Sequence, residues 1–350
     1  MVALFTAGGV IVDNVVAADG SVHLETMGGN AVYSAGGARL WIAPVGIVAN
    51  VPANYPQTWL DALRDAGIVI DGITVRDEIV ARSEWFIYRA DGSRIDQLHA
   101  PLGYLRDLGI TATRLIASEV AMLEAGLRAL PEAGLSYADF RRRHPVGVEQ
   151  LPRVFAGARG AHLAPEQTAR QIVLAQHLRS TGTYVTTDPG PHAAAMPDEL
   201  LGRVLASVDA FLPSEAELQA LCPGVAPIAA LRAWTARGVP VAGVKLGARG
   251  ARLFDGASGE TIDMPALGVV ARDPTGAGDA FCGGFLGGFL RTGNLRAAAC
   301  CAAVSASFAI EAFGPFHLLA TTPAVARARL VAFVRDAGLT GCAGFLHALA

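Results

Sequence analysis

The residues with the clearest chemistry run from Asp273 to Leu286 and read Asp-Pro-Thr-Gly-Ala-Gly-Asp-Ala-Phe-Cys-Gly-Gly-Phe-Leu. Gly276, Ala277 and Gly278 have little or no side chain, so their backbone N–H groups can approach an anion closely. The apolar, Gly-rich residues that follow predict a helix, whose positive dipole end would lie at the same point. Together these features predict an anion hole suited to a phosphoryl group in transfer. Asp279 lies in the first turn of that helix, where its carboxylate could accept the proton of an attacking hydroxyl.

A simpler alternative is a Gly-rich helix start that Asp279 only caps, which is the more common meaning of a lone Gly-x-Gly-Asp. The run here extends over fourteen positions. No Gly-Lys-Ser/Thr follows the glycines, as a Walker A loop requires, and the sequence has neither the His-Arg-Asp nor the Asp-Phe-Gly motif of protein kinases. All fourteen positions fit the second signature of the PfkB, or ribokinase-like, carbohydrate kinases, so the chain resembles that family.

The resemblance implies a function, a fold and cofactors. The reaction would be ATP- and Mg²⁺-dependent phosphorylation of a hydroxyl on a sugar or sugar-like small molecule, by a phosphotransferase with an alcohol group as acceptor. Asp279 would be the general base, and the amides of the Gly276–Gly278 loop would hold the phosphoryl group. The fold would be ribokinase-like α/β, with a mostly parallel central sheet, helices on both faces and a small β-sheet lid. Positioning and charge neutralisation would supply most of the rate.

A second motif, Gly28-Gly29-Asn30-Ala31-Val32-Tyr33, resembles the amino-terminal Gly-Gly motif of the family, in which a helix start lies against the sugar. Without bulky side chains at Gly28 and Gly29, sugar hydroxyls could reach main-chain N–H groups. Asn30 belongs to the same predicted substrate site. The family commonly has Asn where this chain has Tyr33, a variant that resembles the divergent Mak32-like branch. Tyr33 would stack on a ligand ring or narrow the pocket; alternatively, it packs only in the core.

The segment before this motif predicts another substrate contact. Residues Val2–Gly9 have the pattern of a buried strand that ends in a glycine turn, and Asp13 follows the turn. By this spacing Asp13 matches the family acid that hydrogen-bonds substrate hydroxyls. A carboxylate just after a buried strand is also a common turn residue, and the sequence leaves that alternative open.

Two further patterns resemble the family's nucleotide site. Ser214 and Glu217 fall where the family has Asn-x-x-Glu, whose glutamate organises Mg²⁺-bound water near the phosphates. The same spacing satisfies a helix capping box, and both roles can hold at once. Lys245, Gly247 and Gly250 belong to a strand-end Gly-x-x-Gly that wraps the nucleotide phosphates and ribose in the family. Between two strands, Gly-x-x-Gly alone usually marks only a hairpin.

The resemblance also implies sites for ions. Asp273 and Thr275, with backbone carbonyls near Gly314, match by spacing a monovalent-cation site of ribokinase-like members, so K⁺ is a candidate cofactor. Gly314 would also lie near the nucleotide. Asp188, in an Asp-Pro-Gly turn after a predicted strand, fits the family loop near the Mg²⁺ ion.

Strand-like and helix-like runs alternate through most of the chain, which predicts a largely parallel sheet covered by helices on both faces. After the first strand, the predicted strands are residues 41–48, 161–164, 184–187, 210–212 and 239–246. The predicted helices are residues 56–66, 165–180, 197–206 and 215–221. We expect a single ribokinase-like α/β domain over residues 1–350.

Two segments, 15–27 and 83–99, break this alternation, because each has two strand-like runs around an Asp-Gly pair, a strong hairpin signal. The resemblance implies that they form the small β lid, inserted in the domain, that closes over the sugar. Two surface hairpins without a gating role are the alternative. Residues 101–159 are longer and less regular than the family needs, and their basic run from Arg141 to His144 predicts a solvated helix face or, alternatively, an oligomer contact such as that of a homodimer.

Composition limits the other functions. The chain is 52% hydrophobic and 17% charged, enough for a large core. Its net charge of −3 and pI near 6.2 provide no basic field for nucleic acid, so phosphate recognition must be local. Five cysteines without metal-ligand spacing predict reduced thiols. No apolar stretch predicts a membrane span and residues 1–9 lack the features of a signal peptide, so we expect a cytoplasmic protein with no membrane partner.

Two other functions stay open from the sequence. A nucleoside kinase of the same fold is one, because adenosine kinases share the Gly-Ala-Gly-Asp site. The other is a weakly active family member with a regulatory or interaction role. The retained Asp279 and its anion hole argue against this second alternative, whereas the departures at Ser214 and Tyr33 keep it open.

Overall fold

The structure, a computed structural model, describes residues 1–89, 94–96, 134–339 and 344–345. In chain order the described strands are β1 (Leu4–Ala7), β2 (Ile11–Val16), β3 (Val22–Gly28), β4 (Val45–Pro52), β5 (Ile68–Arg76), β6 (Glu84–Tyr88), β7 (Arg94–Asp96), β8 (Gly160–Leu163), β9 (Tyr184–Thr187), β10 (Ala210–Phe211), β11 (Val241–Lys245), β12 (Ala251–Asp255) and β13 (Thr261–Met264). The described helices are α1 (Asn30–Arg39), α2 (Gln57–Asp65), α3 (Tyr137–Arg143), α4 (Thr168–Ser180), α5 (Asp198–Ser207), α6 (Glu215–Leu221), α7 (Pro227–Ala236), α8 (Ala277–Thr292), α9 (Leu295–Ala309), α10 (Phe316–Ala320) and α11 (Pro323–Asp336). Short 3-10 helices cover Val148–Gln150, Arg153–Phe155, Gly190–Ala195 and Gly247–Arg249.

The large sheet has nine strands in the order β13-β12-β11-β10-β9-β8-β1-β4-β5. The strands from β11 to β5 run parallel, and β12 and β13 complete one edge as an antiparallel pair. The neighbouring strands β1 and β8 are buried along their whole length, as expected for parallel strands covered on both faces. The predicted mostly parallel sheet is confirmed. Strand β4 begins at Val45 rather than at Trp41, since Pro44 has no N–H for the ladder.

Helices cover both faces of this sheet because successive residues of a strand point to opposite sides. On β10, Ala210 belongs to the core cluster that holds Phe285 of α8 and Phe308 of α9. The next residue, Phe211, packs edge-on against Trp234 of α7, with ring centroids 5.2 Å apart. Because these strands are parallel, they all end at the same edge of the sheet, and the loops that follow them can meet there.

The small sheet is separate and has the order β3-β2-β6-β7. Strands β2 and β3 form an antiparallel hairpin around Asp19 and Gly20, and β6 pairs antiparallel with β7. The two predicted lid segments thus come together in one sheet through a parallel pairing of β2 with β6. Strand β2 already begins at Ile11, earlier than predicted, and the predicted turn at Asp91 and Gly92 lies outside the described residues. That the sheet acts as a moving lid stays a prediction.

Much of segment 101–159 lies outside the described residues, but its last part contains α3 and its basic run. Arg142 and Arg143 are exposed, as predicted for a solvated face. Arg141 is different, because its side chain is only 28% exposed and turns toward the large sheet. The prediction of a solvated run is therefore wrong for Arg141.

Among the residues that the structure describes, every helix is too short or too polar to cross a membrane.

Candidate active site

The predicted anion hole lies at the start of α8. Gly276 is the N-cap of this helix and has a left-handed backbone, with φ 74° and ψ 0°. A Cβ there would overlap an aromatic ring of α1, so both the backbone and the packing require glycine. The N–H groups of Gly278 and Asp279 have no hydrogen-bond partner among the described residues, whereas the N–H of Ala277 donates to the Pro274 carbonyl at 3.3 Å. The helix start therefore presents free donors and its positive dipole end to an anion.

Asp279 is the third residue of α8 and is half-buried. Burial, with a smaller contribution from the charge of Asp188, raises the pKa of its carboxyl to about 6, and the charge of Lys245 opposes the rise. A general base is most effective when its pKa lies near the working pH. The environment of Asp279 thus suits a group that takes up a hydroxyl proton close to neutral pH.

Lys245 reaches the same helix start from the end of β11. Its ammonium group forms an ion pair with Asp188 and lies 3.6 Å from Sγ of Cys282. A Cβ on Gly278 would lie 3.2 Å from Nζ of Lys245, so the missing side chain leaves room for the ammonium group. Burial lowers the pKa of Lys245, but Asp188 and the other acidic neighbours raise it more. A stable positive charge therefore lies directly beside the anion hole.

Ser214 and Glu217 form the capping box that their spacing predicted. Ser214 Oγ accepts the Glu217 N–H at 3.3 Å, and the Ser214 N–H donates to Glu217 Oε2 at 2.6 Å. Burial and the charge of Asp188 raise the pKa of Glu217 to about 7. In the part of the chain that the structure describes, no three His, Cys, Asp or Glu side chains gather into a metal site. A Mg²⁺ ion held through water by Asp188 and Glu217 would therefore take its other ligands from nucleotide phosphates, which is its usual preference.

The two glycines after Lys245 lie in different surroundings. Gly247 has φ 59° and open space around its Cβ position, so a ligand can approach its backbone. Gly250 has φ 88°, and a Cβ there would collide with the Met264 carbonyl of β13. The backbone of Gly247 is thus open to a ligand, whereas Gly250 allows β12 to start close to β13.

Asp13 lies on β2, in the small sheet, and is 1% exposed. Burial raises the pKa of its carboxyl well above the usual range, and Glu84 and Asp273 raise it further. Its Oδ1 has no hydrogen-bond partner among the described residues. Buried carboxylate oxygens normally have partners, so a hydroxyl of a ligand fits this position.

The Gly-Gly motif connects this carboxylate to the large sheet. Gly29 has φ 108°, and a Cβ there would collide with the Gly9 carbonyl. Asn30 accepts the Gly9 N–H at 2.7 Å through Oδ1 and donates from Nδ2 to the Pro165 carbonyl at 3.2 Å. Tyr33 is 2% exposed and packs its ring against Gly276. Of the two interpretations of Tyr33, this position favours core packing, and it joins the Gly-Gly motif to the anion hole.

Asp273 and Thr275 lie together just before the anion hole. Asp273 is fully buried, and its Oδ1 accepts the Thr275 N–H at 2.9 Å. Its Oδ2 has no hydrogen-bond partner among the described residues. Gly314 has φ 67° and lies beside the Met27 carbonyl of β3. An orphaned, buried carboxylate oxygen of this kind is compatible with a bound cation.

Arg141 lies near this site although its sequence context did not predict it. Its Nε and Nη2 donate to Glu166 Oε1 at 2.9 and 2.8 Å, and a Cβ on Gly9 would lie 3.2 Å from its guanidinium carbon. Its charge is one of those that oppose the burial-driven rise in the pKa of Asp279. Tyr137, which is buried, lies four residues before Arg141 and hence on the same face of α3. This spacing was the sequence signal that Arg141 lies on the packed face of the helix.

Comparison with known proteins gives a consistent result. Residues 163–321 match the model of the pfkB family carbohydrate kinases. The chain is 25% identical over 294 residues to a cytidine kinase of Thermococcus kodakarensis, covering 83% of this chain and 90% of that protein. It is 28% identical over 155 residues to a nucleoside kinase of Methanothermobacter thermautotrophicus, covering 44% of this chain and 48% of that protein.

Solved structures share the fold. An E. coli protein provisionally assigned as ribokinase II, in complex with ATP and Mg²⁺, has a TM-score of 0.68 at 16% identity and covers 96% of this chain and 100% of that chain. Nucleoside kinase from Burkholderia thailandensis in complex with inosine has a TM-score of 0.64 at 19% identity, covering 95% of this chain and 98% of that chain. The ribokinase-like α/β fold predicted from the sequence is confirmed.

Proposed function

Because the chain carries a pfkB family carbohydrate kinase domain, we propose that it transfers the γ-phosphoryl group of ATP to a hydroxyl of a sugar or sugar-like small molecule, nucleosides included. One observation carries the proposal. A half-buried carboxylate, Asp279, lies in the same helix turn as unpaired backbone N–H groups, and the ammonium group of Lys245 lies beside them. A base, an anion hole and a fixed positive charge at one point are the parts that phosphoryl transfer needs.

The chain's own groups divide the work. Asp279 takes the proton of the acceptor hydroxyl, so that its oxygen can attack the phosphoryl group. The free N–H groups of Gly278 and Asp279, at the end of the Gly276–Gly278 loop, hold the phosphoryl oxygens as charge moves onto them. Lys245 neutralises part of the phosphate charge, while Asp188 keeps the ammonium group protonated and in place. When bound, ATP supplies the phosphoryl group, and a Mg²⁺ ion beside Glu217 and Asp188 would neutralise its other phosphates.

The substrate is expected between the small sheet and the anion hole. Asp13 would accept a hydrogen bond from one substrate hydroxyl, and the start of α1 after Gly28 and Gly29 would bring backbone close to the ring. Within the substrate class, a nucleoside has specific support, since two relatives of this chain are named cytidine kinase and nucleoside kinase. A free sugar fits the same carboxylate and glycines, and the choice between them is left to experiment.

Potassium is the proposed third cofactor. Asp273 offers a buried oxygen without a partner, and burial raises the pKa of its carboxyl, so a nearby cation would relieve both conditions. Activity should then be higher in K⁺ than in Na⁺ at constant ionic strength.

A homodimer and a cytoplasmic location stay predictions. Light scattering after size-exclusion chromatography tests the homodimer.

The regulatory alternative predicts binding without turnover. It is disfavoured because Asp279, Lys245 and the free amides are all in place at the start of α8. A panel of nucleosides and free sugars, each with ATP and Mg²⁺, separates the functions when ADP release and thermal stability are both recorded. We expect one substrate class to stimulate ADP release and to raise the melting temperature, and the Asp279→Asn variant to keep the thermal shift without the turnover. Ligand-induced stabilisation without ADP release in the wild-type protein would favour the regulatory role.

A further inference from the structure

The small sheet touches the anion-hole loop through one specific hydrogen bond. Tyr88, the last residue of β6, places its hydroxyl 2.9 Å from Oγ1 of Thr275. Both side chains are buried, at 6% and 5% exposure. Thr275 directly precedes Gly276, the left-handed N-cap of α8. A residue of the small sheet thus bonds to the neighbour of the phosphoryl-binding glycine.

Thr275 is held from two sides. Its N–H donates to Asp273 Oδ1 at 2.9 Å, so its backbone is anchored within the large unit. Its hydroxyl lies beside the Asp273 carboxyl and, on the side of the small sheet, is bonded to the Tyr88 hydroxyl at 2.9 Å. If the small sheet moves away, this second bond is lost while the first remains. The conformation of the loop before Gly276 is therefore sensitive to the position of the small sheet.

A second contact of the same sheet supports this arrangement. The ring of His23, on β3, stacks on Phe313 with ring centroids 3.5 Å apart and an interplanar angle of 20°. Phe313 lies in the loop after α9, and the N–H of Asp273 donates to the Ile310 carbonyl at the start of that loop. Two strands of the small sheet thus contact the two neighbouring segments that shape the anion hole.

We infer that Tyr88 is a positioning residue, which couples docking of the small sheet to the geometry of the phosphoryl-binding loop. Tyr88 acts through Thr275 on Gly276, and the inference rests on the proposed kinase function. A substrate seated under the docked sheet would meet a correctly formed anion hole, and an empty site with the sheet displaced would lose that geometry. This coupling would discourage transfer of the phosphoryl group to water, because the loop is complete only when the sheet covers the site.

A double-mutant cycle tests the coupling. Tyr88→Phe and Thr275→Val each remove one hydroxyl at nearly constant volume, so packing is preserved. We expect each change to lower kcat by about tenfold, the effect of one lost hydrogen bond in the transition state, with the substrate KM changed by less than about twofold. The double variant should be no worse than the worse single variant. Thr275→Ser keeps the hydroxyl and should retain nearly full activity.

The matched control is Tyr184→Phe. The Tyr184 hydroxyl is buried without a partner among the described residues, at the first residue of β9 and hence at the opposite edge of the large sheet. It should leave kcat unchanged. Independently of turnover, backbone amides of residues 274–278 should exchange hydrogen faster in Tyr88→Phe than in Tyr184→Phe.

Three results would overturn the inference: a Tyr88→Phe variant as active as the control, effects of the two changes that multiply in the double variant, or unchanged exchange at residues 274–278. A failure of the kinase proposal would look different. In that case Asp279→Asn would be as active as the wild-type protein, whereas a failed coupling leaves Asp279 essential.

Discussion

The carboxylate of Asp13 occupies the space that a side chain on Gly28 would need. The two residues lie on adjacent strands β2 and β3, and a Cβ on Gly28 would overlap the Asp13 carboxyl group. The pairing is close to a bulge, since the register shifts between Asp13 and Val15. Two separate sequence motifs thus form one structural unit, in which the glycine allows a buried carboxylate to face the predicted substrate site.

This contact predicts a large effect of Gly28→Ala. The methyl group must displace the buried carboxylate or the strand, so we expect a loss of about 1–3 kcal/mol of unfolding free energy together with weaker substrate binding. Thermal unfolding and isothermal titration measure the two effects. Gly268→Ala is the control, because Gly268 is exposed and has open space around its Cβ position. Unchanged substrate affinity in Gly28→Ala would separate Asp13 from the substrate site.

Asp279→Asn should lower kcat on the order of 10²- to 10⁴-fold, the usual range for a positioned base. Because the pKa of the Asp279 carboxyl is about 6, kcat/KM of the wild-type protein should rise with pH through about 6 as the base ionises. The variant should lack this acidic limb. Initial rates between about pH 5 and pH 8 provide the profile. A limb that persists in Asp279→Asn would assign the titration to another group.

The same carboxyl predicts that Asp279→Asn, which lowers activity, raises the stability of the protein at neutral pH. Its folded-state pKa, about 6, lies above the ordinary value of 3.8, so its contribution to stability is present below pH 3.8 and is lost as pH rises through 6. Asp279→Asn removes this loss and should melt at a higher temperature than the wild-type protein at neutral pH. The difference should vanish in acid. The exposed Asp65→Asn controls for removal of one negative charge.

Lys245→Met should abolish most activity while the protein stays folded. The variant removes the charge beside Gly278, and we expect kcat to fall roughly 10²- to 10³-fold, as for loss of one transition-state contact. Lys245→Arg should not restore it, because Cys282 at 3.6 Å and the start of α8 leave little room for a guanidinium group. ATP affinity by titration separates a loss of binding from a loss of rate. Full activity of Lys245→Met would exclude the charge from the mechanism.

Mutations of Ser214 and of Glu217 should have different effects, one mainly on stability and the other mainly on Mg²⁺ dependence. Glu217→Gln keeps an oxygen for the Ser214 N–H, so the capping box and the melting temperature should persist, while more Mg²⁺ is needed for half-maximal rate. Ser214→Ala removes the cap and should cost about 1 kcal/mol of stability with a smaller change in Mg²⁺ dependence. Equal Mg²⁺ dependence in Glu217→Gln and the wild-type protein would leave Glu217 with a capping role alone.

Arg141→Met should move the acidic limb of the pH profile to higher pH. The Arg141 charge opposes the burial-driven rise in the pKa of Asp279, so its removal lets that pKa rise further. Arg142→Met is the control, since the neighbouring side chain is 70% exposed and pairs with Asp139. An identical shift in both variants would show only a general effect of lost positive charge.

Local geometry was predictable from the sequence. The anion hole needs a left-handed glycine, small neighbours and a helix start, and all of these lie within a few consecutive residues around Gly276. The capping box of Ser214 and Glu217 is likewise set by a spacing of three residues. The βα alternation predicted the parallel sheet, because strands and helices have different periods of hydrophobic residues, which are visible in the sequence.

The tertiary structure alone decided which distant residues meet. Tyr88 and Thr275 lie 187 positions apart, and Lys245 and Asp188 lie 57 apart, so no local pattern relates them. Their contacts depend on the strand order, which places the ends of β9 and β11 around α8 and brings the small sheet against the loop before it. Arg141 shows the same limit, because a run of charges does not reveal which face of a helix will pack. Side-chain partners are set by how whole elements pack against one another, and that packing is a property of the complete fold.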